Sequence, residues 1–273
     1  MTAASRAALG DALGDNDPRV VRLALDAMGT RFELALPLGN GDAHPPRDLR
    51  AAGEAAFAEI SELDRRWSVF RRDSLLAFIE REAPRRPVPL DADAFELLRA
   101  CIDLWRESGG LFDITVGGAM ERWGFRDSSG ARLSDVPSAP LNERTDTASE
   151  DGGADQPAAP PDSSAIFLDD ATSTVRFTRD DVRLDLGGIA KGHAIDQAVA
   201  VLRECGITSA LLHGGTSAVA AIGRPTPAQR WRVGVRHPLT EDVAFSVELE
   251  DAALAVSAPH GRRVNGHGHI IDP

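Results

Sequence analysis

The sequence has only two cysteines, Cys101 and Cys205, in 273 residues. Both lie in helix-like apolar sequence, so we expect two packed core thiols rather than a disulfide. The sequence also lacks any apolar run long enough to span a bilayer. Its first 20 residues have no sustained apolar stretch and carry Asp11, Asp15 and Asp17, which is unlike a signal peptide. These absences favour a cytoplasmic protein without a membrane span, or a periplasmic one if an N-terminal extension is missing.

Positive charge is also scarce, because 30 Lys and Arg face 42 Asp and Glu, for a net charge of -12. Such a surface repels the phosphates of nucleic acids and of anionic membranes, so nucleic acid is not an expected partner. Hydrophobic residues make up 42% of the chain and charged residues 26%. These are the values of an ordinary globular protein, and the length allows a sizeable core.

The apolar pattern predicts several elements. Alternation on either side of Met28-Gly29-Thr30 predicts two strands joined at the glycine. Apolar residues spaced by three and four predict amphipathic helices over 47–67 and 91–108, the second starting at an Asp91 or Asp93 cap and stopping at Gly109-Gly110. Strand-like runs cover 165–168, 174–177 and 182–186.

Two segments have the composition of disordered chain. Residues 1–18 are predicted to be a flexible N-terminus. Residues 127–164 are rich in Ser, Pro, Ala, Asp and Gly and have almost no large apolar residues, so they cannot offset the entropy cost of ordering. We therefore predict one domain over 19–273, interrupted by a disordered acidic insert at 127–164.

The segment 182–206, VRLDLGGIAKGHAIDQAVAVLRECG, is typical of a strand, a glycine turn and a helix closed by a glycine. Without side chains at Gly187, Gly188 and Gly192, a diphosphate could approach the main chain, and the helix N-terminus and Lys191 would offset its charge. The spacing matches neither a P-loop nor the dinucleotide-binding GxGxxG. Taken alone, the segment is also compatible with a plain strand-to-helix turn carrying a solvated lysine.

Within this segment, DLGGIAKGHAIDQ is similar to the DLGGIAKGYAVD motif of the ApbE-type FAD:protein FMN transferases. Five further family motifs occur in the family's order: MGT at 28–30, WSVFRRDS at 67–74, GGLFDITVG with WGF at 109–125, HGGTSAVAAIG at 213–223 and HIIDP at 269–273. Six ordered matches over most of the chain identify it as a member of this family. The resemblance implies an α+β fold of mixed or antiparallel sheets covered by helices, with two lobes and a cofactor cleft between them.

The resemblance also implies an activity. The family moves the FMN part of FAD to a threonine or serine of a target protein and releases AMP, which makes FAD the donor substrate, Mg²⁺ the cofactor and a target flavoprotein the partner. A hydroxyl attacking a pyrophosphate needs a site that holds a dianion, neutralises charge and removes a proton. Two alternatives stay open: an FAD diphosphatase with water as the nucleophile, and a non-catalytic FAD-binding protein.

Site residues follow by the same resemblance. The chain's implied cofactor-binding residues are Met28, Phe70, Leu111, Phe112, Asp113, Asp185, Gly188, Lys191 and Ile271. For Phe112, core packing is an equally good interpretation. The Gly188 carbonyl corresponds to a magnesium ligand. His269 and Lys191 are the implied catalytic residues, and the His269 imidazole suits a base that works near neutral pH.

Two departures of the sequence from the family bear directly on the expected activity and on the phosphate site. In the family, a helix carrying an aspartate and a threonine follows HIIDP and completes the magnesium site, whereas this sequence ends at Pro273. We therefore expect magnesium-dependent transfer by this chain to be impaired, because the C-terminal metal-binding segment is lacking. Glu80 stands where the family often has an asparagine, and we expect its negative charge to be unfavourable near a diphosphate.

Overall fold

The computed structural model describes residues 19–38, 46–125, 160–215, 217–237, 240, 242–257, 263–264, 267–268 and 270. The chain divides into two compact units. Unit 1 is Met1–Trp67 with Gly187–Ala258, and unit 2 is Ser68–Leu186 with Pro259–Pro273. The predicted flexible N-terminus and residues 127–159 of the predicted insert lie outside the described residues.

The elements follow one another in the order strand, strand, helix, helix, and then a mixture of the two. In chain order they are β1 (Val20–Ala27), β2 (Thr30–Pro37), α1 (Pro46–Trp67), α2 (Leu75–Glu82), β3 (Val88–Pro89), α3 (Ala92–Glu107), α4 (Gly117–Arg122), β4 (Ile166–Asp169), β5 (Thr174–Phe177), α5 (Ala190–Glu204), β6 (Ala210–Gly214), β7 (Ala218–Ile222), β8 (Trp231–Arg236), β9 (Val243–Leu249), β10 (Ala252–Ala255), β11 (Arg263–Val264) and β12 (His267–Gly268). A short 3-10 turn, Ser163–Ala165, precedes β4. None of the helices in the described part of the chain is long and apolar enough to cross a membrane.

Unit 1 is built on a five-stranded sheet in the order β1-β2-β6-β7-β10, with all neighbours antiparallel. Helix α1 packs along α5 and meets β2 so closely that a Cβ on Gly53 would lie 3.1 Å from Leu34 Cδ2. On the opposite face, Ala35 packs in a cluster with Trp231 and Val233 of the β8-β9 hairpin. The centre of β2 is therefore apolar on both faces, because helices cover one side of the sheet and a hairpin covers the other.

Unit 2 combines a small antiparallel sheet, β3-β5-β4, with α2, α3 and α4. Helix α3 begins as predicted, because the Asp91 side chain accepts a hydrogen bond from Ala94 N at 2.9 Å. It ends before Gly109 and Gly110, whose positive φ angles of 64° and 91° are easily adopted only by glycine. The predicted α+β class with antiparallel sheets and helices is confirmed.

Two sequence predictions are wrong in detail. Residues 182–186 form no strand: Gly117 N donates to Arg183 O at 3.0 Å and Asp185 N donates to Ile114 O at 2.7 Å, but no regular ladder follows. Cys205 is exposed rather than packed, and both cysteines are free thiols. Cys101 is buried, and burial raises the pKa of its thiol to about 12.

The end of the predicted insert also differs from expectation. The described chain resumes at Pro160, so the last five residues assigned to the insert have a defined conformation. Ser163 among them is buried, and Asp162 caps the 3-10 turn by accepting from Ser164 N at 2.9 Å. Polar composition concealed this because the segment is ordered by hydrogen bonds rather than by apolar contacts.

Candidate functional site

The glycine turn lies between unit 2 and α5 in the chain. Gly187 and Gly188 are exposed, and Ile189 at the N-cap gives no side-chain hydrogen bond to the first turn of α5, which contains no acidic residue. A Cβ on Gly192 would meet no atom within 4 Å. The turn therefore exposes two glycines and leaves open space beside Gly192, so an anion could approach the main chain at the start of the helix.

Lys191 lies in the first turn of α5 and bends back over the glycine turn, where its Nζ donates to Gly187 O at 3.4 Å. It is the one lysine among the 30 Lys and Arg of the chain. The family motif pointed to Lys191, but the fact that the chain has no other lysine was not used in the sequence analysis. A lysine ammonium is a compact point charge, whereas a guanidinium is a larger planar fork, so the use of lysine here indicates a position where the shape of the cation matters.

The chain leading into the turn is held from two sides. Leu184 N donates to Glu80 Oε1 at 2.6 Å, and Asp185 N donates to Ile114 O at 2.7 Å. Residues alternate so that Leu184 is buried and Asp185 is half-buried. The side chain of Asp185 is thus presented from a fixed stretch of backbone directly before the glycine turn.

Asp113 is buried, with 7% of its surface exposed. Its carboxylate accepts from Thr115 N at 2.7 Å, Thr115 Oγ1 at 2.6 Å, Ser163 N at 3.0 Å and Ser163 Oγ at 2.7 Å. These four bonds use most of the carboxylate's acceptor capacity. The geometry therefore gives Asp113 the task of tying the FDIT segment to the end of the insert, while its predicted contact with the cofactor stays a prediction.

The two residues before Asp113 differ in exposure. Leu111 is 72% exposed, which leaves it accessible to a ligand, although single exposed apolar side chains are common on protein surfaces. Phe112 is half-buried, and its N–H donates to Ser108 Oγ at 2.9 Å. Half-burial leaves Phe112 compatible with both core packing and ligand contact.

Met28 lies in the two-residue turn between β1 and β2. Its φ is 49° and that of Gly29 is 71°, with Ala27 paired to Thr30, which is the pattern of a type I′ hairpin turn. A non-glycine residue at positive φ is uncommon and is a reasonable marker of function. Phe70 is half-buried, and its N–H donates to Ser68 Oγ at 3.2 Å.

A pair of polar side chains in unit 1, the buried His213 and the half-buried Glu33, was not predicted. Glu33 and His213 lie opposite each other on β2 and β6, with His213 Nε2 3.1 Å from Glu33 Oε2 and Nδ1 3.0 Å from Gly215 O. Burial lowers the pKa of His213, while the Glu33 carboxylate acts in the opposite sense. The sequence held a partial signal, since Glu33 is the one acidic residue of β2 and His213 precedes a glycine pair.

The MGT and HGG motifs contact each other in unit 1. Gly215 has a φ of 65°, and a Cβ there would lie 2.2 Å from Thr30 Oγ1. Gly215 N also donates to Arg31 O at 2.9 Å. The turn after β6 must therefore carry a glycine to pack against the hairpin that presents Met28.

The predicted site residues divide between the two units. Met28, Gly188 and Lys191 belong to unit 1, whereas Phe70, Asp185 and the 111–113 segment belong to unit 2. Within unit 2, Asp185 N donates to the carbonyl of Ile114, the residue that follows Asp113. Within the described residues, no group of three or more His, Cys, Asp or Glu could hold a metal ion. His269 and Ile271 lie outside the described residues.

A lysine-bearing glycine turn at the start of a helix, in an α+β fold of antiparallel sheets, defines a candidate nucleotide-phosphate-binding protein. The sequence model of the ApbE family matches residues 28–273, and the chain belongs to this family. It is 31% identical over 234 residues to a FAD:protein FMN transferase of Rhodobacter capsulatus. It is 28% identical over 248 residues to one of Treponema pallidum.

The chain aligns with these relatives over only part of their length. Both matches cover 84% of this chain, but they span 42% of the Rhodobacter protein and 64% of the Treponema protein. Among solved structures, the ApbE protein of Thermotoga maritima is similar with a TM-score of 0.73 at 25% identity, over 93% of this chain and 76% of that one. The Vibrio cholerae flavin transferase ApbE has a TM-score of 0.70 at 22% identity, with the same coverage, which supports the fold.

Proposed function

We propose that this chain binds FAD and transfers its FMN part to the hydroxyl of a threonine or serine in a target protein, with release of AMP. Membership of a family whose curated relatives are named FAD:protein FMN transferases supports the reaction. The observation that carries the proposal for this chain is the open glycine turn with Lys191 folded over it. The proposal includes dependence on magnesium and a cytoplasmic location.

The turn would bind the pyrophosphate. Main-chain N–H groups of the glycine turn and of the first turn of α5 would donate to phosphate oxygens, and the helix dipole and the Lys191 ammonium would offset the negative charge. Asp185 approaches from the other end of the turn. The remaining cofactor contacts are proposed from the family resemblance, and they are Met28, Phe70, Leu111, Phe112, Asp113 and Ile271.

The reaction is a displacement at phosphorus. The acceptor hydroxyl oxygen bonds to the phosphorus on the FMN side of the pyrophosphate, the bond from that phosphorus to the bridging oxygen breaks, and AMP leaves with that oxygen. The hydroxyl proton passes to His269. Lys191 and the N–H groups stabilise charge that develops on the departing phosphate. Magnesium, when bound, would neutralise further charge, with the exposed Gly188 carbonyl as one oxygen ligand.

Transfer is tested by incubating the chain with FAD, MgCl₂ and a threonine-bearing target protein, followed by flavin fluorescence in a denaturing gel. We expect weak flavin labelling of the target that survives denaturation, in line with the expected impairment of transfer, and loss of that labelling in Lys191→Ala. Free FMN and AMP without labelling would replace the proposal with hydrolysis. Retention of intact FAD without either product would replace it with simple binding.

The single lysine permits a sharper test of the binding site. An acylating reagent can modify only one side-chain amine, so mass spectrometry of the peptide containing Lys191 reports directly on the turn. At an FAD concentration about ten times its Kd, we expect acylation of Lys191 to slow about tenfold. The chain's α-amino group is the internal control and should react at an unchanged rate. Equal acylation of Lys191 with and without FAD would contradict the proposed site.

A further inference from the structure

We propose that Glu80 is a positioning residue for the FAD site, because its carboxylate holds the backbone at Leu184 and thereby fixes the Asp185 side chain. This inference rests on the proposed function, in which Asp185 contacts FAD. Glu80 lies 104 residues before Leu184 in the chain, and its Oε1 accepts from Leu184 N at 2.6 Å. A charge-assisted bond of this length is among the stronger hydrogen bonds in proteins.

Glu80 is presented from a firmly anchored helix. Ser74 is buried and caps α2 by accepting from Ala77 N at 3.0 Å. Leu76 and Ile79 of the same helix are buried as well. A side chain on such a helix has a fixed origin, so it can fix the position of a segment that is not part of a sheet.

The segment that Glu80 holds has a second partner on the next residue. Asp185 N donates to the carbonyl of Ile114, and Ile114 directly follows Asp113 with its four hydrogen bonds. Two consecutive N–H groups are thus bonded to two different parts of unit 2, the α2 side chain of Glu80 and the turn at Ile114, which restricts the backbone that carries the Asp185 side chain. The Ile114 bond is a main-chain bond, so Glu80 is the partner that a substitution can remove.

This geometry gives the glutamate at position 80 a different role from the one expected from the sequence. From the sequence, its charge was expected to be unfavourable near a diphosphate, whereas in the structure the carboxylate accepts from a backbone N–H. On this interpretation, the requirement at position 80 is a side-chain oxygen that can accept a hydrogen bond from Leu184 N. Glutamine keeps that oxygen and nearly the same length, whereas alanine removes it.

The test measures FAD affinity by flavin fluorescence quenching, with thermal unfolding recorded for each variant. We expect Glu80→Ala to raise the Kd for FAD about tenfold and Glu80→Gln to stay within about twofold of the parent chain. Asp91→Ala is the matched control, because it removes another side-chain-to-backbone bond from unit 2 at the start of α3. It should lower the Tm to a similar extent while leaving the Kd unchanged.

A double-mutant cycle shows whether Glu80 acts through Asp185. Glu80→Ala made in an Asp185→Ala background should cause a further loss of less than about twofold. The inference is overturned if the loss is the same in both backgrounds, if Asp185→Ala leaves the Kd unchanged, or if Asp91→Ala weakens FAD binding as much as Glu80→Ala. A parent chain that binds no FAD would overturn the proposed function and this inference together.

Discussion

At the scale of single residues, His213 couples the stability of unit 1 to pH. Burial lowers its pKa from the ordinary 6.5, so below that pH the unfolded chain binds a proton that the folded chain resists. The free energy of unfolding is therefore fully retained above pH 6.5 and falls as the pH drops towards the folded-state pKa, by at most about 1.4 kcal/mol per pH unit. Urea unfolding between pH 5 and pH 8 measures this.

The contribution of His213 is isolated by substitution. His213→Gln keeps a polar side chain but does not titrate, so its unfolding free energy should vary less between pH 5 and pH 6.5 than that of the parent chain. A parent-like slope in His213→Gln would show that other groups cause the acid sensitivity.

Asp113 should matter for stability in unit 2. Asp113→Ala leaves the Thr115 and Ser163 donors without their buried acceptor, which we expect to cost about 3 kcal/mol of unfolding free energy. Asp113→Asn retains one acceptor oxygen and should cost about half as much. Asp103→Ala, which removes an exposed carboxylate paired with Arg106, is the control and should change stability by less than about 0.5 kcal/mol. Urea unfolding measures all three, and an Asp113→Ala loss no larger than that control would contradict the assigned role.

Residues inside recognisable motifs were the ones that sequence reasoning could find. Lys191 and Asp185 flank a glycine turn that is local in the chain, so the sequence motif alone was enough to single them out. The contacts of Glu80 with Leu184 and of Glu33 with His213 span 104 and 180 residues. They depend on tertiary packing and on the register of β2 with β6, which one sequence without aligned relatives does not specify.

At the scale of elements, a substitution at the start of α5 should affect stability and FAD binding in opposite directions. Glycine in a helix costs about 0.5–1 kcal/mol relative to alanine, and a Cβ on Gly192 would meet no protein atom within 4 Å. Gly192→Ala should therefore raise the Tm. If the open space receives a diphosphate, the same variant should bind FAD more weakly, because the added methyl group lies where the phosphates approach.

Thermal unfolding and FAD titration measure both effects of Gly192→Ala. The control is a substitution at Ala200, an exposed residue of α5. Ala200→Gly should lower the Tm, because glycine has a lower helix propensity than alanine, and should leave the Kd for FAD unchanged. A stabilised Gly192→Ala with unaltered affinity would show that the glycine is not required for phosphate approach.

Periodicity predicted the longer elements and failed on the short ones. Helices α1 and α3 have repeated apolar residues over several turns, and Asp91 and Gly109 mark the ends of α3. Helix α2 has only eight residues, too few for a periodic pattern, and it was not predicted. The 182–186 run alternates apolar and polar residues as a strand does, but its hydrogen-bonding groups meet a glutamate side chain and single carbonyls instead of a neighbouring strand.

At the scale of the whole molecule, the fold class came from six motifs in family order rather than from the apolar pattern. Alternating strands and helices alone fit several α+β topologies. The order β1-β2-β6-β7-β10 joins strands more than 170 residues apart, as in the pairing of Phe32 with Gly214. No local signal predicts such pairing, which is why family resemblance was more informative about the fold than propensity.

Shortening the predicted insert measures how much its end contributes to the stability of unit 2. Asp113 accepts hydrogen bonds from Ser163 N and Oγ, so the end of the predicted insert, at residues 160–165, contributes to the ordered structure of unit 2. If residues 127–158 are disordered, as their composition predicts, replacing them with a linker of about ten Gly and Ser residues should leave the unfolding free energy unchanged or raise it by about 1 kcal/mol, because the loop-closure entropy cost becomes smaller. Extending the deletion through residue 164 with the same linker removes Ser163 and should lower it by about 2–3 kcal/mol. Urea unfolding compares the two, and equal losses would show that the whole insert, and not only its end, supports the fold.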